Sequence, residues 1–315
     1  MRRQAVWALS KIKDPRAIQP LIGQVSDQTD WVKTESITAL KKWQPEALEP
    51  LLTALKGPDR ELRYGAARVL AELKEPRSRE ALLAVLSNPQ SPVGPLAAIG
   101  LNQLGVKDPR GLAPLMAGLK DKENWVRQQA ARALGDYQDL KAVEPLLAAL
   151  EDKDKQVRAA VATALGKLGD SRAVGPLVKH LTDWPANPET ATSLKKLGWE
   201  PKTNEEKVYF WAASRQRQAL KDNWPTVKPV LWRDLEGKNA ARVENSLRTF
   251  VFVGNDEVIP GLIAWLGKKG NETTAVILLN CGNARLKKAA EDWAKQRGYL
   301  IFWTLGAPAD SHWES

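Results

Sequence analysis

From Trp125 to Lys155 the chain places apolar residues at helical spacing. Val126, Ala130, Ala133, Leu134 and Tyr137 fall on one face; after a break around residues 135–139, Ala142, Leu146, Leu147 and Leu150 form a second. The stretch therefore predicts two short amphipathic helices. Isolated helices below about 12–15 residues are marginal in water, so neither is expected to persist without neighbours. Similar units stacked side by side supply those neighbours, in an array whose stability is a sum of units and interfaces.

Copies of the unit recur along the chain. The aliphatic that opens the second helix is Val32, Leu62, Val93, Val126 and Val157, at steps of 30, 31, 33 and 31 residues. A leucine two turns on repeats as Leu9, Leu40, Leu70, Leu101, Leu134 and Leu165. A row of small residues, Ala5, Ser36, Ala66, Ala97 and Ala130, shares that face and would allow close helix approach. The first helices carry Pro20, Pro50, Pro114, Pro145 and Pro176, each followed by Leu, with Ala81 where the proline is skipped. Asp14-Pro15, Glu75-Pro76 and Asp108-Pro109 put an acidic cap and an N-terminal proline where those helices begin. The later proline, inside the helix, is expected to remove one backbone hydrogen bond and kink it.

A first helix with an internal proline, an acidic turn (Asp30, Asp121, Asp152, Asp154) and a Val-Arg opening of the second helix resemble HEAT repeats. The opening is Val126-Arg127 and Val157-Arg158, with Leu62-Arg63 and Val32-Lys33 as variants. The short period of about 31 residues and the Leu134-Gly135-Asp136 turn are similar to the HEAT-like subgroup of phycobilin lyase-type and related prokaryotic proteins. The resemblance covers residues 1–187 as six copies. It implies an all-α fold, an α-solenoid of about eight antiparallel helix pairs whose concave surface is lined by the second helices. It does not imply pigment chemistry. The first copy enters directly at a second helix, so either a capping element is absent or the chain is a fragment of something longer.

After residue 187 the period fails and then returns. Residues 188–280 read as degenerate repeats, because Pro229 and Pro260 stand 31 apart and each is followed by Leu and Trp. Between them and the regular copies lies an aromatic helical insertion near 199–223. Residues 281–315 read as a C-terminal cap, with a helix from Ala284 to Arg297 and a short extended segment from Tyr299 to Trp303.

The net charge of +10 is spread evenly, as +6 over residues 1–187 and +4 over the rest, which describes an ordinary surface better than an electrostatic footprint. One cysteine, Cys281, excludes an intrachain disulfide and any multi-thiolate metal site. His180 and His312 have no metal-binding spacing, so no metal and no cofactor are expected. No apolar run approaches the ~20 residues of a spanning helix, so no membrane partner is expected and the cytoplasm is the default location. No phosphate-cradling glycine loop, Ser/His/Asp set or paired carboxylates stand out.

Two sets of residues remain as candidates. Arg63, Arg127 and Arg158, with Asp121 and Asp152 in the turns, are expected to form a structural Asp–Arg ladder between repeats, because the arginine fork matches a carboxylate. The groove-facing rows read Arg3, Thr34, Tyr64, Pro95, Gln128, Ala159 and Trp7, Thr38, Arg68, Ile99, Arg132, Thr163. From these, Arg3, Trp7, Tyr64, Arg68, Ile99, Gln128 and Arg132 are the candidate partner-binding residues. Trp31, Trp43, Trp125, Trp232 and Trp265 read as packing. The rows are too sparsely basic for a nucleic-acid track, which would repeat Lys/Arg along its length. The expected function is a monomeric, non-enzymatic scaffold that binds a protein along the concave face. Nucleic-acid binding of the HEAT-like DNA glycosylase kind and a bilin lyase-type role are the alternatives.

Overall fold

The computed structural model describes residues 2–12, 14–27, 29–183 and 187–299, with side chains except those of residues 2, 182 and 183. Among the described residues the fold is all-α: twenty α-helices, six short 3-10 turns and no strand. The helices gather into two units, Met1–Asp170 and Ser171–Ser315.

The first unit holds α1 (Arg2–Ile12), α2 (Ile18–Gln24), α3 (Asp30–Lys42), α4 (Gln44–Lys56), α5 (Arg60–Leu73) and α6 (Arg79–Leu86). It continues with α7 (Gly94–Gln103), α8 (Leu112–Gly118), α9 (Asn124–Tyr137), α10 (Val143–Ala149) and α11 (Lys155–Leu168). Each even-numbered helix packs on the odd-numbered one that follows, and the odd-numbered helices pack on one another in sequence. This is the α-solenoid that the repeat period requires. Val32, Val126, Val157, Leu40, Leu101, Leu134 and Leu165 are fully buried, as their rows predict. The small row sits where helices touch. Ser36, Ala66, Ala97 and Ala130 have no exposed surface, and a Cβ added to the neighbouring Gly65 would lie 2.2 Å from the Ile22 carbonyl oxygen of α2. Ala5, at the same position of α1, is exposed; α1 buries Val6 instead.

The recurring proline does not kink a continuous helix in most copies. Apart from α4, each first helix of the first unit opens with a 3-10 turn, such as Pro15–Ala17 or Pro109–Gly111, and the α-helix starts after it. Pro20, Pro114, Pro145 and Pro176 then occupy the third residue of α2, α8, α10 and the corresponding helix of the second unit. There the missing N–H is one of the first-turn donors that lacks an intrahelical partner anyway. Only Pro50 and Pro229 lie inside a helix. The acidic caps stand where they are expected: Asp14, Glu75 and Asp108 accept the backbone N–H of Arg16, Arg77 and Arg110.

The second unit contains α12 (Val174–Asp183), α13 (Pro188–Lys196), α14 (Asn204–Ala213), α15 (Arg217–Asp222) and α16 (Trp224–Leu235), then α17 (Ala240–Val253), α18 (Ile259–Lys269), α19 (Glu272–Leu279) and α20 (Ala284–Gln296). The aromatic insertion supplies α14 and α15. Tyr209 of α14, almost fully buried, donates to Asp234 of α16, and Arg233 ties the same carboxylate to Glu205 at 2.9 Å each. Burial and the Asp234 bond push the Tyr209 phenol up, so it stays protonated. Trp211, Trp224 and Trp232 pack against the hydrophobic core of this unit, with Trp224 and Trp232 rings 6.0 and 5.2 Å from Phe250. Of the tryptophans flanking the insertion, Trp211 and Trp224 are thus local core, Trp199 is half-buried with its ring edge-on to Phe210 at 5.9 Å, and Trp184 lies outside the described residues. α20 buries Leu286, Ala290 and Trp293 against α18 and α19, and Trp293 stacks on Tyr299 at 5.5 Å. The extended segment expected beyond Tyr299 lies outside the described residues.

Candidate functional site

The arginines that open the second helices share one local task. Nη1 of Arg63 donates to the carbonyls of Gly57 and Pro58, that of Arg127 to Asp121 and Lys122, and that of Arg158 to Asp152 and Lys153. The acceptors sit five and six positions upstream each time, in the turn between the first helix and the second. Arg127 adds a second contact, a fork on the Asp152 carboxylate of the next copy at 2.6 and 2.9 Å. Among the described residues the expected ladder shows one rung with a carboxylate of the next copy, Arg127–Asp152, on a regular series of turn-closing bonds. Asp121 enters through its carbonyl, while its carboxylate accepts the Glu123 N–H at 2.8 Å. Asp152 is pushed up by burial but held below the usual carboxylate range by Arg127 and the Asp154 N–H.

Lys33 holds the equivalent position in α3, and it crosses the unit. Its Nζ lies 2.7 Å from Glu123, which caps α9, ninety positions away. The second helices of the first unit therefore curl until α3 and α9 meet. Between them opens a groove of about 450 Å³. Thr34, Ile37, Thr38, Lys41 and Lys42 of α3 form one wall, Arg68 and Glu72 of α5 the floor, and Trp125 at the start of α9 the far side. The Arg68 guanidinium stacks on the Trp125 ring at 3.4 Å from its centroid. It also donates to Glu72 at 3.0 Å, and Glu72 takes Lys41 at 3.3 Å. Arg68 is only 7% exposed, and burial pushes its pKa down despite Glu72.

Of the seven predicted partner-binding residues, Arg68 alone lines this groove. Tyr64, one turn earlier on α5, has its hydroxyl buried without a hydrogen-bond partner, with Lys122 5.8 Å from its ring. Burial and the nearby Asp121 and Glu123 push that phenol up. Ile99 is corrected: at 1% exposure it belongs to the core and cannot meet a partner. Its helix, α7, lies between α5 and α9, and residues 96–101 are all buried. Arg3 and Trp7 stand exposed on α1, and Arg132 on α9, with Gln128 half-buried, all away from the groove lining. Trp125 is the residue the sequence misassigns. It looked like packing, as Trp43 and Trp265 are at 7% and 5% exposure, but it is half-buried and faces the groove. Trp31, at the same position of α3, departs from the packing reading too, at 39% exposed.

The groove holds no nucleophile paired with a base, and among the described residues no group of His, Cys, Asp and Glu could hold a metal. Cys281 is buried in the second unit and burial pushes its thiol up. No helix of the described residues is long and apolar enough to cross a membrane. The arrangement is suited to holding a ligand by charge, ring stacking and apolar contact.

Stacked helix pairs with buried inter-helix rows define an all-α repeat protein. The profile for HEAT repeats matches residues 48–134 and 112–195, and that for the PBS lyase HEAT-like repeat matches residues 1–27. Together they span more than half of the chain, which belongs to the HEAT-repeat proteins, of the short HEAT-like type. A search of curated protein sequences finds no match. Among solved structures, an engineered protein is 18% identical over 93% of this chain and 94% of its own, with a TM-score of 0.38. YibA of E. coli is 16% identical over 93% and 96%, with a TM-score of 0.45. A homology model of the full-length AP-3 complex is 14% identical over 95% and 55%, with a TM-score of 0.32.

Proposed function

We propose that the protein is a non-enzymatic scaffold that binds a protein partner in the groove on the inner face of its first unit. The observation that carries this reading is the Arg68–Trp125 stack, in which the buried Arg68 holds the half-buried Trp125 ring along a groove walled by the Thr/Lys-bearing face of α3. Aromatic and arginine side chains concentrate binding energy at protein interfaces, and here they are pre-positioned by Glu72 and by the Lys33–Glu123 closure. Nucleic-acid binding fits less well. A backbone track needs repeated unpaired cations, whereas this groove places Glu72 among its three.

A photo-crosslinking residue in place of Thr38, which lines the groove, tests the reading in cells of the source organism. One in place of Lys195, exposed on α13, is the control. A discrete protein adduct at Thr38 alone is expected. An adduct to nucleic acid, or turnover of a small molecule by the purified chain that is lost on Arg68→Ala, overturns it.

A further inference from the structure

The groove also indicates the chemistry of its occupant, an inference that rests on the scaffold reading above. Its lining carries Lys41, Lys42 and Arg68 against Glu72 alone, an excess of two positive charges. Glu72 is already engaged by Arg68 and Lys41, and Lys42 makes no ion pair among the described residues. Lys42 therefore faces an occupied acid and two neighbouring cations with no carboxylate of its own. Thr34 and Thr38, one turn apart on the same wall, have hydroxyls that make no hydrogen bond among the described residues and so are available to carboxylate or peptide groups. Beside them Trp125 offers apolar surface.

We infer that the groove takes an acidic peptide segment, one that sets a carboxylate against Lys42 and Lys41 and an aliphatic side chain against Trp125. Opposite charge steers such a segment in and suppresses basic competitors, while the apolar contact holds it. A phosphate backbone is the rival source of negative charge. It would demand several further cations along its length, and here the charges are confined to adjacent turns of α3 and α5.

The test is fluorescence anisotropy of the full chain with four labelled probes: a peptide repeating Asp-Leu-Glu, its Asn-Leu-Gln counterpart, a Lys-Leu-Arg counterpart and a short oligothymidylate. The acidic peptide is expected to bind, at least about tenfold tighter than the neutral one, and more weakly as salt rises. Lys42→Glu is expected to weaken it about tenfold, because reversing an exposed charge acts on the encounter and leaves the core alone. Lys195→Glu is expected to change nothing, and circular dichroism checks that both variants fold. Tighter binding of the neutral or basic peptide, or indifference to Lys42→Glu, overturns the acidic inference and leaves the scaffold reading standing. Binding of the oligothymidylate with no peptide bound overturns both. No binding of any probe overturns the acidic inference.

Discussion

Replacing Arg127 by Ala removes the Arg127–Asp152 rung between repeats, and its cost can be worked from the contacts. The side chain is 6% exposed and Asp152 11%; the fork to the carboxylate measures 2.6 and 2.9 Å, and two carbonyls are held at 3.0 and 3.2 Å. Breaking a buried pair by removing one partner costs about 3–5 kcal/mol, mostly for the charge left behind. Asp152 keeps the Asp154 N–H at 2.8 Å, and the truncated side chain admits water to the carbonyls, so the expected loss is near the low end, about 3 kcal/mol. Arg127→Lys should recover part of it, since an ammonium keeps the charge and loses the fork. In the double variant Arg127→Met with Asp152→Leu the losses should fall well short of additive. Urea unfolding followed by far-UV circular dichroism measures the total. Hydrogen exchange of the α11 amides locates it, because arrays can open at a single interface. A change below about 0.5 kcal/mol, the scale of a neutral surface substitution, would refute the rung as a source of stability.

Two glycines predict opposite signs. Gly65→Ala gains about 1 kcal/mol of helix propensity but drives a Cβ to 2.2 Å from the Ile22 carbonyl, so a net loss of about 2 kcal/mol is expected. Gly267→Ala in α18 meets nothing within 4 Å and should stabilise by up to about 1 kcal/mol, read as a higher melting midpoint. Tyr209→Phe deprives the buried Asp234 of a donor while Arg233 remains, with an expected loss of about 1–2 kcal/mol by urea unfolding. Stability should also fall in acid. Asp14 and Asp108 are held down to about 2 by the Arg16 and Arg110 side chains. Groups depressed on folding stabilise fully above their unfolded pKa of 3.8 and lose that contribution as pH falls towards 2. The urea midpoint should be flat from neutrality to about pH 5 and drop below about pH 4, less steeply in Asp108→Asn. A midpoint that rises on acidification would reverse the assignment.

What was legible in the chain is what neighbours in sequence decide. Val126, Leu134 and the small row repeat because each copy must bury the same face against the next, and that requirement survives unchanged into the structure. Even where the proline rule needed correction, the capping chemistry at Asp14 and Asp108 was local and correct. The turn arginines mark the first limit. Spacing shows that a carboxylate is within reach, but a guanidinium can equally close on carbonyls five and six positions upstream, and it does so at Arg63, Arg127 and Arg158. Those acceptors lie in the turn that leads into the arginine's own helix, so the bond needs no placement by a neighbouring repeat. The groove marks the second limit. It exists because small residues let the second helices approach closely enough to curl, so that Lys33 meets Glu123 and Trp125 comes to face Thr34 and Thr38. A row position on a repeat helix specifies which face a side chain takes; it does not specify whether that face is open. Thr38, Arg68, Ile99 and Arg132 share one row, yet the first two line the groove, the third is core and the fourth is exposed beyond it. Curvature is a sum over all copies, and small departures from the repeat, such as the Gly94-Pro95 start of α7, accumulate into it. The same accumulation leaves the proposed binding groove on one stretch of the array, so substitutions at Lys42 or Trp125 should act on binding while those at Arg132 and Trp7, which share the row of Thr38, should not.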